Sequence, residues 1–147
     1  MAKLVIKREL QKYGFLFFVF GMVYMLVETI FRMVINFNFA FKAEVSLWMF
    51  GIGGLCGILL GILNECEFNT PPIANIGIGT IIILFIEYKA GVLFNILLNF
   101  KLWDYSNCPL NINGQICLLF GLFWLILCPI AFWLDDYLRH IFYKEKP

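Results

Sequence analysis

Charged residues are scarce in this chain of 147 residues. They make up 14% of it, whereas a soluble domain carries about 25%. The 11 basic and 10 acidic residues almost cancel, leaving a formal net charge of +1. Such a weak and balanced charge excludes the basic surface on which nucleic-acid binding depends. We therefore expect no nucleic-acid partner.

The sequence also lacks the motifs of catalysis and of metal or cofactor binding. It has no G-x-S-x-G elbow, no phosphate-binding loop, and a single histidine near the C-terminus. The acidic pair Asp135-Asp136 stands beside Arg139, where it predicts a solvated helix cap rather than a metal site. We expect no enzyme, no cofactor, no metal site and no disulfide framework, because no C-x-x-C pair occurs. The cysteines are Cys56, Cys66, Cys108, Cys117 and Cys128.

Long apolar stretches dominate what is present. Hydrophobic residues make up 62% of the chain, and its mean hydropathy is +0.86. About 20 apolar residues cross a membrane as a helix, and irregular backbone is not tolerated in lipid. The sequence therefore predicts an all-α integral membrane bundle of about four transmembrane helices in a single domain, residues 1–147. The predicted spans are residues 15–37, 45–63, 73–98 and 116–134.

The third stretch is interrupted by Glu87-Tyr88-Lys89. It could therefore form one tilted helix or two helices with a break between them, and we favour one helix.

The distribution of lysine and arginine predicts the orientation, since basic residues stay on the cytoplasmic side. Seven of them lie on the side of the termini if both termini are cytoplasmic, against Lys42 and Lys101 on the other. We expect both termini to be cytoplasmic.

Glycines recur every fourth residue in the second span, at Gly53, Gly57 and Gly61. This spacing aligns them on one helix face, where another backbone approaches closely. The face predicts helix packing, either within the chain or between copies in a homo-oligomer.

Charged residues inside a span are expensive and mark candidate functional sites. Glu28 and Arg32 share a stripe of the first span with Tyr24 and Asn36 at a spacing of four. Glu87, Asn95 and Asn99 form a stripe of the third span, at depths that allow Arg32 and Glu87 to pair. Three interpretations stay open: a neutralised charge cluster that fixes helix register, a polar pocket or ion-responsive site reached from outside, and a contact with lipid headgroups.

The loop at residues 99–115 is unusually rich in aromatic and polar side chains. Trp103 and Tyr105 are typical of the membrane–water interface, while asparagine and glycine favour caps and tight turns. The pattern fits a structural interfacial loop or a lid that binds a ligand. The candidate residues of the loop are Trp103, Asp104, Tyr105, Ser106, Asn111, Asn113 and Gln115.

Three segments carry a family resemblance: I-E-Y at residues 86–88, L-W-D-Y-S at 102–106 and N-I-N-G-Q-I-C-L at 111–118. They resemble the bacterial ABC-transporter type IV permease family, with a weaker likeness over 27–32. The resemblance implies a small multi-pass protein of the bacterial cytoplasmic membrane with a role in transport. Longer members carry an R-G-x-x-x-G-P and P-I-Y-G segment that this chain replaces, so a function in that segment is not implied here.

Two classes of function follow. The first is a transporter or permease subunit, embedded in the lipid bilayer, for which a separate ATPase subunit must supply ATP hydrolysis. The second is a membrane protein without transport activity, such as a phage-type holin or an accessory subunit. Small size, a basic tail and a glycine packing face suffice for the second.

Overall fold

The computed structural model describes residues 2–35, 46–66 and 71–145. Within these ranges it contains four helices: α1 (Ala2–Ile35), α2 (Leu47–Glu65), α3 (Pro72–Gly91) and α4 (Leu118–Leu138). All four are long and apolar enough to cross a membrane. The predicted all-α bundle of four candidate spans is confirmed. The predicted polar residue Asn36 lies outside the described residues.

Two helices extend beyond their predicted ends. α1 begins at Ala2 rather than at residue 15, because its charged first turns continue the helix past the apolar stretch. α4 ends at Leu138 and continues as a π-helical segment, Arg139–Tyr143. These two extensions meet at the end of the bundle that carries both termini. There Arg8 donates a hydrogen bond from Nη2 to the carbonyl oxygen of Tyr143 at 3.1 Å.

The third stretch forms one continuous helix. Pro72 occupies the first turn, where a missing N–H costs nothing. α3 then passes without a break into the π-helical segment Val92–Leu97. The charged triplet at residues 87–89 therefore does not interrupt the helix. The π segment instead widens its last turns, just before the loop.

Glycine brings α1 and α2 together. A Cβ atom at Gly53 would collide with Tyr24, and one at Gly57 would collide with Phe20. Only glycine leaves space for these aromatic side chains against the α2 backbone. Gly61 faces α4 instead, and a Cβ atom there would lie 2.7 Å from the Asp135 carboxylate. The glycine face thus packs within the chain.

A small hairpin closes the end of the bundle opposite the termini. Strands β1 (Asn111–Ile112) and β2 (Ile116–Cys117) pair antiparallel between the third and fourth helices. We call this the loop end of the bundle, and the opposite one the terminal end. The backbones of α1 and α4 approach each other little, and aromatic side chains bridge them. Among these, Phe31 lies edge-on to Phe120, with 5.2 Å between ring centroids.

Candidate functional site

A cavity of about 140 Å³ lies between α1 and α4, with α2 and α3 forming its back wall. Its walls are aromatic and aliphatic over most of their length. At the loop end it carries polar groups, including the Glu28 and Glu87 carboxylates. Ile130, which is 53% exposed on the flank of α4, also lines it. The cavity therefore reaches the lipid-facing surface of the bundle.

Glu87 is the most enclosed acidic group of the cavity, with 3% of its surface exposed. Its Oε2 accepts a hydrogen bond of 3.0 Å from the indole Nε1 of Trp124. The Trp124 ring stacks in turn on Tyr24, with 5.6 Å between centroids and 19° between planes. Residues of α1, α3 and α4 thus hold one carboxylate in a fixed position.

Glu28 and Arg32 form an ion pair within α1. The Nε atom of Arg32 lies 2.7 Å from the Oε1 atom of Glu28, as the spacing of four allows. Nη2 of Arg32 also donates to the carbonyl oxygen of Leu102 at 3.1 Å. Among the described side chains Arg32 therefore forms its ion pair with Glu28 rather than with Glu87, because Glu28 is one turn away on the same helix. The loop uses its Nη2.

The first half of the loop is anchored by Asn95 and Trp103. Asn95 Oδ1 accepts from the backbone N–H of Leu102 at 2.6 Å, and its amide nitrogen donates to the carbonyl oxygen of Trp103 at 3.0 Å. The same nitrogen donates to Gln115 Oε1 at 2.8 Å. Trp103, which is buried, donates from Nε1 to the carbonyl oxygen of Gln115 at 3.0 Å. Gly91 leaves space for the Gln115 side chain.

The second half of the loop is a set of tight turns. Asp104 Oδ1 accepts from the backbone N–H of Ser106 at 2.8 Å and from its hydroxyl at 2.5 Å. These hydrogen bonds stabilise the carboxylate and lower the pKa of Asp104. Gly114 has a φ of 67°, and a Cβ atom there would lie 2.9 Å from Asp104 Oδ1. Only glycine fits both the left-handed backbone and the close approach.

The asparagines of the hairpin are also satisfied locally. The Asn111 amide donates to the carbonyl oxygens of Ser106 and Cys108, at 3.2 and 2.8 Å. Asn113 donates from its side chain to the Tyr88 hydroxyl at 3.0 Å. Cys108 and Cys117, at the hairpin, are both free thiols. Most of the predicted loop residues therefore form hydrogen bonds that stabilise the fold of the loop.

Tyr105 is the residue that connects the loop to the cavity. Its ring lines the cavity and stacks on Phe120, with 4.3 Å between centroids and 19° between planes. Burial raises the pKa of Tyr105, and the nearby Glu87 and Glu28 carboxylates raise it further. The side chain thus closes the cavity at the loop end as a neutral phenol.

A second charged cluster, at the terminal end, was not predicted. Arg139 Nε lies 2.8 Å from Asp135 Oδ2, and both residues are at most 2% exposed. Arg139 also lies 3.3 Å from Glu145, which pairs with Lys12 at 2.8 Å. The expected solvated cap is therefore wrong at Asp135, since the C-terminal segment folds back over it. The spacing of Asp135 and Arg139 signalled the pair but not its burial.

Three carboxylates of this cluster lie close enough together to hold a cation. Ligand oxygens of Glu65, Asp135 and Asp136 fall within 4.8 Å of one another. Arg139 already stands among them, 3.7 Å from Glu65. Its guanidinium offsets one of the three negative charges, and its Nε lies 2.8 Å from Asp135.

A family model matches the chain over residues 15–145, which include the cavity, the loop and most of the terminal cluster. The family is described as "Putative ABC-transporter type IV". The chain belongs to this family. The resemblance inferred from the three loop and α3 segments is thereby confirmed. No curated protein and no solved structure matches the chain significantly.

Proposed function

We propose that the chain is the membrane-spanning, non-catalytic permease subunit of an ABC-type transporter in the bacterial cytoplasmic membrane. The observation that carries the proposal is the cavity between α1 and α4, with two carboxylates under the Tyr105 ring. A buried carboxylate is costly in a membrane and is retained where it serves a pathway or a ligand. Membership of an ABC-transporter-type family supports the same role.

The proposal requires two kinds of partner. The chain has no phosphate-binding loop, so a separate subunit must bind and hydrolyse ATP. Four helices leave little room for a transport pathway within one chain. This favours a complex of several membrane subunits, either copies of this chain or another permease. The terminal cluster lies at the end where the ATPase docks if both termini are cytoplasmic.

Affinity purification from the native membrane tests this role. We expect a tagged chain at its natural expression level to bring down an ATPase subunit, and the complex to hydrolyse ATP. Induced expression provides the contrasting measurement, because a holin collapses the membrane potential. Purification without any ATPase, together with loss of membrane potential on induction, would contradict the permease role and favour the holin.

A further inference from the structure

The charge of the cavity is unbalanced. Glu28 is neutralised by Arg32 at 2.7 Å. Glu87 has no ion-pair partner among the described residues. It accepts a hydrogen bond from the indole N–H of Trp124, which carries no charge. When both carboxylates are ionised, the three groups leave one negative charge in an enclosed apolar site. A group of opposite charge is the natural complement of such a site.

Aromatic side chains line the cavity around Glu87. Tyr24 and Trp124 stack as one pair, and Tyr105 and Phe120 stack as another, with 19° between the planes in each. All four line the cavity. Aromatic faces attract ammonium groups, most strongly when the cation loses its water. The site thus combines a carboxylate with the side chains that recognise alkylated ammonium ions.

Size and access restrict the ligand further. An apolar cavity of about 150 Å³ holds one benzene ring, and this cavity has about 140 Å³. Its polar groups lie at the loop end, and it extends along α4 to Leu134 between apolar walls. Since the cavity reaches the lipid-facing flank at Ile130, a ligand dissolved in the membrane has access to it.

We propose that the cavity binds an amphiphilic organic cation about the size of one aromatic ring, with its ammonium group at Glu87 and its apolar part toward Leu134. As a statement about cargo, this rests on the proposed permease role. Binding itself needs no ATPase and is measured on the purified chain. Failure of binding and failure of the permease role are therefore separate results.

Equilibrium dialysis of the purified, full-length protein in neutral detergent, against empty micelles as the blank, is the test. The probe is ethyltrimethylammonium, and its uncharged counterpart is 2,2-dimethylbutane, in which carbon replaces the ammonium nitrogen. We expect saturable binding of the cation, at least about tenfold tighter than that of the neutral compound. Equal affinity for the two compounds, or no saturable binding of the cation, would overturn the proposal.

Paired substitutions locate the site. Glu87→Gln keeps an oxygen that accepts from Trp124 but removes the charge, and we expect cation affinity to fall at least about tenfold. Glu65→Gln makes the same change outside the cavity and should leave affinity unchanged. Trp124→Phe retains the Glu87 carboxylate and provides a second measurement of cation affinity if Glu87→Gln does not stay monodisperse. We expect the cation to bind more weakly to Trp124→Phe as well. Unchanged affinity in the monodisperse cavity variants, or an equal loss in Glu65→Gln, would contradict the assignment.

Discussion

Asp135 and Arg139 show how one residue pair can hold the terminal end of the bundle together. Their side chains are almost completely buried and lie 2.8 Å apart. Removing Arg139 leaves the Asp135 carboxylate buried and uncompensated, which costs about 3–5 kcal/mol. The neighbouring contacts of Arg139 with Glu65 and Glu145 tie the same guanidinium to α2 and to the C-terminal segment.

We predict that Arg139→Met lowers the free energy of unfolding in detergent by about 3–5 kcal/mol. The double variant Asp135→Leu with Arg139→Met should recover most of this loss, because no unpaired charge stays buried. Lys144→Ala, at an exposed position, is the control and should change little. Thermal or denaturant unfolding measures all three. An unchanged stability of Arg139→Met would show that the pair is solvated.

Asp104 gives the loop a dependence on pH. Its pKa is lowered in the folded loop by the hydrogen bonds from Ser106, so folding favours the ionised form. The stabilisation that the ionised carboxylate gives to the folded loop is fully present above its ordinary pKa of 3.8. It is lost as the pH falls through the lowered pKa of the folded loop. We expect the protection of the Ser106 amide against hydrogen exchange, relative to its intrinsic rate at each pH, to fall over this acid range. Asp104→Asn should remove the dependence, and an unchanged pH profile would contradict this assignment.

At the scale of the element, helix α2 is defined by what its glycines contact. Gly57 lies against Phe20, whereas Gly51, in the same helix, has no atom within 4 Å of an added Cβ. A methyl group at Gly57 must push Phe20 aside, and overpacking of this kind costs about 1–3 kcal/mol. At Gly51 the same methyl group only restricts the unfolded backbone.

Gly57→Ala should therefore destabilise the bundle by about 1–3 kcal/mol, while Gly51→Ala should stabilise it by about 0.5–1 kcal/mol. Thermal unfolding of the two variants in the same detergent gives the comparison. Similar effects in both positions would show that the α1–α2 contact is not close. A change in oligomeric state with Gly57→Ala would point to the glycine face as an interface between copies.

The elements were largely predictable from the sequence, because apolar length alone determines where helices cross a membrane. The contact of Glu28 with Arg32 was also implied by their spacing. The hydrogen bond from Trp124 to Glu87 was not, since it joins α4 to α3 and depends on how the helices are rotated. The burial of Asp135 depends on a C-terminal segment whose fold is π-helical and whose partner, Lys12, lies at the other end of the chain.

At the scale of the whole molecule, the orientation in the membrane is testable with single thiols. Cys66 is exposed at the terminal end of α2, and Asn107 is exposed in the loop. In a variant without other cysteines, an impermeant maleimide added to intact cells should label Asn107→Cys and not Cys66. Disruption of the membrane should expose Cys66. The opposite pattern in intact cells would reverse the expected orientation of both termini.

The central claim is that the bundle holds an accessible, negatively charged cavity beneath the loop. Leu127 lines this cavity one turn from Trp124 and is partly exposed, so a cysteine placed there probes the cavity through thiol-specific reagents of opposite charge. In a variant whose only cysteine is Leu127→Cys, a trimethylammonium methanethiosulfonate should react at least about tenfold faster than its sulfonate analogue, and Glu87→Gln should remove most of the preference. Equal rates for the two reagents, or a preference that survives Glu87→Gln, would contradict the account.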